Sequence, residues 1–247
     1  MDIKKDAKVV NIFWTGGLDS TFRVVQLLRK TNHTVQPHYL IFGDNVSGIE
    51  IDAMIKMRRK ICEKYPDVKI RFLPTIYTNA KHISINKEID AEVARLRKEI
   101  KVIDQYYFMA NYCKAHNIND MEVAIVYLEG EMELFVTYKD SLVFTFFSYP
   151  IIDLSKKVIY DMAVKEGWED IINMTSFCKR PFVKIRPCGV CAPCTTAVMD
   201  GMGFRLPYRA RLIGKLQLPF RNYIREHYSK FKDNKLLRWI ERKVFEY

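Results

Sequence analysis

Apolar residues cluster in short runs at positions 9–14, 35–42, 69–74 and 121–126, rich in β-branched and aromatic side chains. Between them lie stretches 18–30, 49–65 and 86–115, where apolar residues recur at three and four, the spacing of a helix face. Strand and helix in alternation predict a Rossmann-like α/β fold: a parallel sheet covered by helices on both faces, with ligands at the carboxyl edge of the strands. No internal repeat interrupts this order. Residues 45–48 (Asn-Val-Ser-Gly) read as a mobile loop near that edge, and residues 150–159 as a loop leading into a helix capped by Asp153 or Ser155.

The first strand runs into Thr15-Gly16-Gly17-Leu18-Asp19-Ser20-Thr21, which opens the first helix. Adjacent glycines let backbone approach an anion closely, and the unpaired amides of a helix start, with the hydroxyls of Thr15, Ser20 and Thr21, suit phosphate oxygens. Asp19 would be repelled by bound polyphosphate unless a divalent cation bridged them, so it reads as a Mg²⁺ partner or a support for the loop amides. The stretch lacks the glycine spacing and lysine of a Walker loop. The plainer alternative is a glycine turn with Asp19 as an ordinary first-turn acid. The second strand ends at Leu40, Ile41 and Phe42, on the edge where backbone groups would meet an adenine.

Four of the six cysteines form a second constellation: Cys178, then Cys188, Cys191 and Cys194 in two C-x-x-C steps. Four thiolates complete a tetrahedral zinc site with no position left for water, so the metal is expected to be structural and to staple the loop to the sheet edge. An iron–sulfur cluster takes the same ligands and remains the alternative. Cys62 and Cys113 fall in helical patterns and read as packing residues.

With 247 residues, 49% of them hydrophobic, the chain is long enough for a large core. No uninterrupted apolar run spans a bilayer and the start of the chain has no signal-like segment, so a cytoplasmic location and reduced thiols are expected. The formal charge of +11 is uneven: residues 205–247 carry twelve Lys or Arg against four Asp or Glu, leaving +3 for residues 1–204. The chain thus divides into an expected catalytic domain, 1–204, and a basic amphipathic helical extension, 205–247, whose charge concerns what the extension touches.

Lys156 falls in the first turn of the helix after residue 155, against the helix dipole, which suggests a clamp on an α-phosphate; a solvated lysine beside Lys157 is the alternative.

The loop resembles the S-G-G-x-D-S pyrophosphate loop of ATP pyrophosphatases, with Thr15 for the first serine. Together with the later P-x-x-x-x-x-K helix start, Thr175-Ser176-Phe177-Cys178 and Pro187-Cys188-Gly189-Val190-Cys191-Ala192-Pro193-Cys194, it resembles the 7-cyano-7-deazaguanine synthases of the queuosine pathway over roughly residues 8–200. The resemblance implies an adenine nucleotide alpha hydrolase-like fold and three cofactors, ATP, Mg²⁺ and structural Zn²⁺. It also implies adenylation of a 7-carboxy-7-deazaguanine-type carboxylate with release of pyrophosphate and AMP on the way to amide or nitrile. Asp19, Ser20 and Lys156 are the implied catalytic residues; Thr15 to Thr21 and Leu40 to Phe42 hold the nucleotide.

The chain departs from that family at residues 42–48 and 127–133, on the substrate side, and adds the tail. Divergent relatives occur in anti-phage gene clusters, and a macromolecular amine as acceptor is one expectation. Partners therefore include a small deazapurine carboxylate, a protein acceptor through the tail, and a second copy of the chain. Two alternatives stand beside this reading. One is a tRNA-modifying enzyme, since the tail interleaves Arg and Lys with Phe220, Tyr223, Tyr228, Phe231 and Trp239. The other is a nucleotide-binding scaffold without turnover.

Overall fold

The structure is a computed structural model that describes residues 7–43, 46–100, 102–126, 135, 137–180 and 187–226. The chain divides into two compact units, Met1–Thr175 and Ser176–Tyr247.

The first unit is built on a five-stranded sheet: β1 (Val9–Phe13), β2 (Thr34–Ile41), β3 (Ile76–Asn79), β4 (Met121–Val123) and β5 (Phe147–Ser148). The order is β3-β2-β1-β4-β5 and every pairing is parallel, as the alternating pattern predicts. Side chains of β1 alternate between faces. Ile12 and Trp14 are fully buried, Trp14 against Thr21 of α1 (Leu18–Lys30), itself in contact with Met57 of α2 (Ser47–Lys64), whereas Phe13 joins the cluster of Ile89, Val93, Met109 and Tyr112 from α3 (Lys87–Leu96) and α4 (Asp104–Ala115). Two further helices, α5 (Lys156–Lys165) and α6 (Glu169–Ile172), return to the first face, where Phe22 and Trp168 meet with ring centroids 5.8 Å apart. Helices thus cover both faces.

Three elements differ from the sequence pattern. The run 69–74 makes only a single bridge, Val35 to Phe72, and the strand proper begins at Ile76. Arg58 of α2 donates to the carbonyls of Phe72 and Leu73, and Pro74 has no amide to give, so the ladder cannot form there. The stretch 86–115 is two helices, not one. A single helix of that length would run about 45 Å, far past the sheet; the chain instead folds back, and Asn111 Oδ1 accepts from the Asn86 amide at 2.7 Å while Asn86 caps α3. Ser47 and Gly48, expected in a loop, open α2. Residues 44–45 and the segment 127–133, expected on the substrate side, lie outside the described residues. Among the described residues of 135–147, only Phe147 enters a strand.

Two polar contacts tie the sheet to its helices. Arg23 of α1 makes a bidentate pair with Glu122 of β4, both bonds 2.7 Å, with both side chains mostly buried. His38 in β2 is buried between Asn11 Oδ1 (2.9 Å) and the Tyr112 hydroxyl (2.8 Å). Asn11 Oδ1 only accepts, so Nε2 carries the hydrogen and Nδ1 accepts from Tyr112. Burial, and next the charge of His116, lower the His38 pKa from 6.5 to about 4. The unfolded chain therefore takes up a proton that the folded chain refuses between those values, and stability present above pH 6.5 is lost as pH falls toward 4.

Denaturant titrations across that window should show the wild type losing stability more steeply than His38→Gln, by a slope approaching one proton; parallel slopes would refute the buried neutral imidazole. Glu122→Gln, which leaves Arg23 buried beside a neutral partner, should destabilise by about 3 kcal/mol, read as a shift in urea midpoint.

Candidate functional site

Strand order reverses at β1: the chain leaves it toward β2, while β4 flanks its other side. Such a reversal opens a crevice at the carboxyl ends of the strands. The glycine loop leaves β1 into this crevice, and a cleft of about 220 Å³ lies there, walled by Thr15, Gly17, Asp19 and Ser20 on the loop and by Phe13, Met109 and Val123 beyond it.

The two glycines have different reasons to be there. Gly16 has φ +69°, and a Cβ on it would sit 3.1 Å from Met54 Cγ and 3.2 Å from the Glu50 carbonyl, so α2 itself demands a glycine. Gly17 has an ordinary φ of −76° and lines the cleft. No side chain caps α1 at Gly17, which leaves the first-turn amides of a 13-residue helix at the cleft mouth. The loop is held by its own hydroxyls: Thr15 Oγ1 and Ser20 Oγ lie 3.3 Å apart, and Ser20 Oγ accepts from the Thr15 amide at 3.3 Å.

Thr21 does not join them. Its hydroxyl is fully buried, accepts from Trp14 Nε1 at 3.0 Å and faces Met57 Sδ at 3.7 Å, so the expected phosphate-binding hydroxyl at this position is a core contact instead. Leu18 likewise buries its side chain and offers the site only backbone. Leu40, Ile41 and Phe42 close β2 on the same sheet edge but do not line the cleft; the Phe42 ring meets Phe108 edge-on at 5.8 Å.

Lys156 arrives from far along the chain. Ser155 caps α5 by accepting from the Val158 amide, which fixes Lys156 as the first helical residue. Its Nζ lies 3.9 Å from Asp19 Oδ2, both side chains partly buried. Lys157 pairs instead with Asp161 one turn along its own helix. The unfavourable position of Lys156 at a helix N-terminus is thus offset by the loop carboxylate.

Sequence reasoning missed the far wall. Gln105, Tyr106 and Met109 come from the start of α4, and Ala124 to Val126 continue past a β4 that ends three residues earlier than its apolar pattern. The break between α3 and α4 is what brings the start of α4 to the cleft, and a continuous helix pattern concealed it.

In the second unit, all four expected cysteines converge and are buried, their Sγ atoms within 4.8 Å of one another. The separations of 3.9 Å (Cys188 to Cys194) and 4.0 Å (Cys191 to Cys178) suit one ion, since a tetrahedral ion with metal–sulfur bonds of about 2.3 Å sets its ligands roughly 3.8 Å apart. An iron–sulfur cluster would interpose its own atoms and spread the thiolates further. Amides of Val190 and Cys191 donate to Cys188 Sγ at 3.3 Å, and that of Cys188 to Cys178 Sγ at 3.2 Å, the bonds a thiolate wants. Donation from Cys178 and Cys194 lowers the Cys191 pKa strongly. Cys113, by contrast, is buried with its thiol pushed up to about 12 and is inert packing.

Gly189 makes the turn between the first two of the C-x-x-C thiols at φ +75°, and a Cβ there would lie 2.1 Å from the Ala210 carbonyl oxygen. The knuckle therefore rests directly on the backbone of α8 (Tyr208–Glu226), with α7 (Ala192–Met199) beginning at Cys191. Residues 227–247 lie outside the described residues.

No family model and no curated protein matches the chain. Among solved structures, an NH3-dependent NAD synthetase from Campylobacter jejuni subsp. jejuni NCTC 11168 in complex with the nitrate ion is similar over 90% of this chain and 88% of that one, at 13% identity and a TM-score of 0.36. So loose a superposition carries no residue correspondences. Among the described residues no helix is long and apolar enough to cross a membrane.

Purified protein should contain about one tetrahedral metal ion per chain by elemental analysis. Gly189→Ala should abolish it and open the second unit to protease, because the added methyl cannot share space with the Ala210 carbonyl; retained metal in that variant would contradict the knuckle geometry.

Proposed function

We propose that the chain is an ATP-dependent, AMP-forming enzyme that adenylates a carboxylate and passes the acyl group to an amine, with a 7-carboxy-7-deazaguanine-type acid as substrate. The observation that carries this is the meeting of Asp19 and Lys156, 3.9 Å apart at the mouth of the switch-point crevice, from segments that share no local structure. A buried core does not require such a pair. A site that must neutralise polyphosphate does.

In this reading the first-turn amides of α1 and the hydroxyls of Thr15 and Ser20 hold the β,γ-phosphates. Asp19 would hold a magnesium ion brought in with the nucleotide, whose charge would offset that of the phosphates. Lys156 then faces the α-phosphorus, where negative charge builds. The substrate carboxylate oxygen attacks that phosphorus, the bond to the bridging oxygen breaks, and pyrophosphate leaves. The amine nitrogen next attacks the acyl carbon, AMP departs, and the amine gives up a proton as the amide forms. The four cysteines would hold zinc as a structural staple of the second unit, because their geometry leaves no ligand position open. The cleft volume favours a small acceptor over the tRNA alternative, whose support is the exposed Tyr208, Arg209 and Lys215 on α8.

Wild type should release pyrophosphate from ATP when supplied with 7-carboxy-7-deazaguanine and ammonia. Asp19→Asn should lose at least about a hundredfold in that rate, and Lys156→Met a similar factor in kcat with ATP affinity changed only a few-fold. Full activity in both variants would sink the assignment.

A further inference from the structure

Beyond the loop, the cleft is apolar. Phe13, Met109 and Val126 are buried, and Tyr106 presents a ring held edge-on by Phe135 and Phe144, with centroids 5.5 and 5.7 Å away. Phe13 is likewise fixed against Tyr112 at 5.8 Å. Packed rings keep their positions, and aromatic residues in the wall suit a flat guest that can stack or meet them edge-on. The volume of about 220 Å³ is below that of pockets for drug-sized ligands, roughly 300–1,000 Å³. One small ring system fits; a base with its ribose and phosphates does not.

Among the described residues that line the cleft, Gln105 has the one side-chain amide. It stands exposed in the first turn of α4, at the rim. A carboxamide offers a donor and an acceptor side by side, which complements an edge where a ring N–H adjoins a carbonyl.

Building on the adenylation reading, we propose that this apolar half is the acceptor subsite and that Gln105 determines specificity, selecting flat heterocyclic acids whose edge is a lactam. The acid lies with its carboxylate toward Ser20 and Asp19 and its lactam toward Gln105. The adenine of ATP then takes the other flank of β1, by the end of β2. Gln105 is a positioning group for the acceptor and leaves the phosphates untouched.

Calorimetric titration of the full chain separates these roles, with 7-carboxy-7-deazaguanine as the lactam probe, indole-3-carboxylate as a ring acid without a lactam, and Mg·ATP as the nucleotide. Wild type should bind the lactam acid at least about tenfold more tightly than the indole acid. Gln105→Leu should abolish that preference and leave Mg·ATP affinity and the melting temperature unchanged, since an exposed rim residue is not needed for folding. A preference that survives in Gln105→Leu, loss of Mg·ATP affinity in that variant, or a wild type that binds neither acid would each overturn the proposal. Selective lactam binding by a wild type that releases no pyrophosphate would uphold the role of Gln105 and overturn the adenylation reading instead.

Discussion

Everything in the first unit is organised by the reversal of strand order at β1. The connection leaving the carboxyl end of β1 runs toward β2 and the one leaving β4 runs toward β5, in opposite senses, so neither fills the gap between them. The loop that enters the gap must turn at once, and Gly16 does so in a left-handed conformation while α2 presses against the place a side chain would occupy. Arg23 and Glu122 then bind α1 to β4 across the same divide. The crevice is therefore held open by packing on one side and by a buried ion pair on the other.

That arrangement divides labour within seven residues. Positions that face the core are committed there: Leu18 to apolar packing, Thr21 to Trp14 and Met57. Positions that face the cleft are small or polar: Thr15, Gly17, Asp19 and Ser20. Helical periodicity enforces the split, since residues 18 and 21 lie on one face and 19 and 20 turn away from it. A motif read as a string treats its three hydroxyls alike; on a helix they cannot be alike.

The sheet and the first two helices were legible because their signals are local. Residues 18–30 were read as a helix, and that is the helix observed. The cysteine cluster was equally legible, since short C-x-x-C steps bring thiols together whatever the rest of the chain does. What escaped depends on partners distant in sequence. Residues 69–74 have strand character, but Arg58 takes their carbonyls, and no pattern within the segment reveals that. The break in 86–115 is set by the width of the sheet that α3 and α4 must cover. The far wall of the cleft, including Gln105, followed from that break and was hidden with it. Lys156 was visible as a lysine in an unfavourable position and through the family resemblance, and the fold supplied the carboxylate that offsets its charge.

The second unit shows how a close backbone approach redistributes hydrophobic residues. Where α8 meets the cysteine knuckle it presents Ala210, whose carbonyl lies against Gly189, and Gly214, on which a Cβ would lie 3.2 Å from Val198 Cγ2 and 3.3 Å from the Gly189 carbonyl. Its large apolar residues cannot share that face, and Tyr208, Leu212 and Leu216 accordingly stand exposed among Arg209 and Lys215. Along the described side chains of α8 the pattern is thus inverted in size: small residues inward, large ones outward. Arg209 and Lys215 stand beside those residues, and a helix that shows bulky apolar groups to water needs charged neighbours to remain soluble.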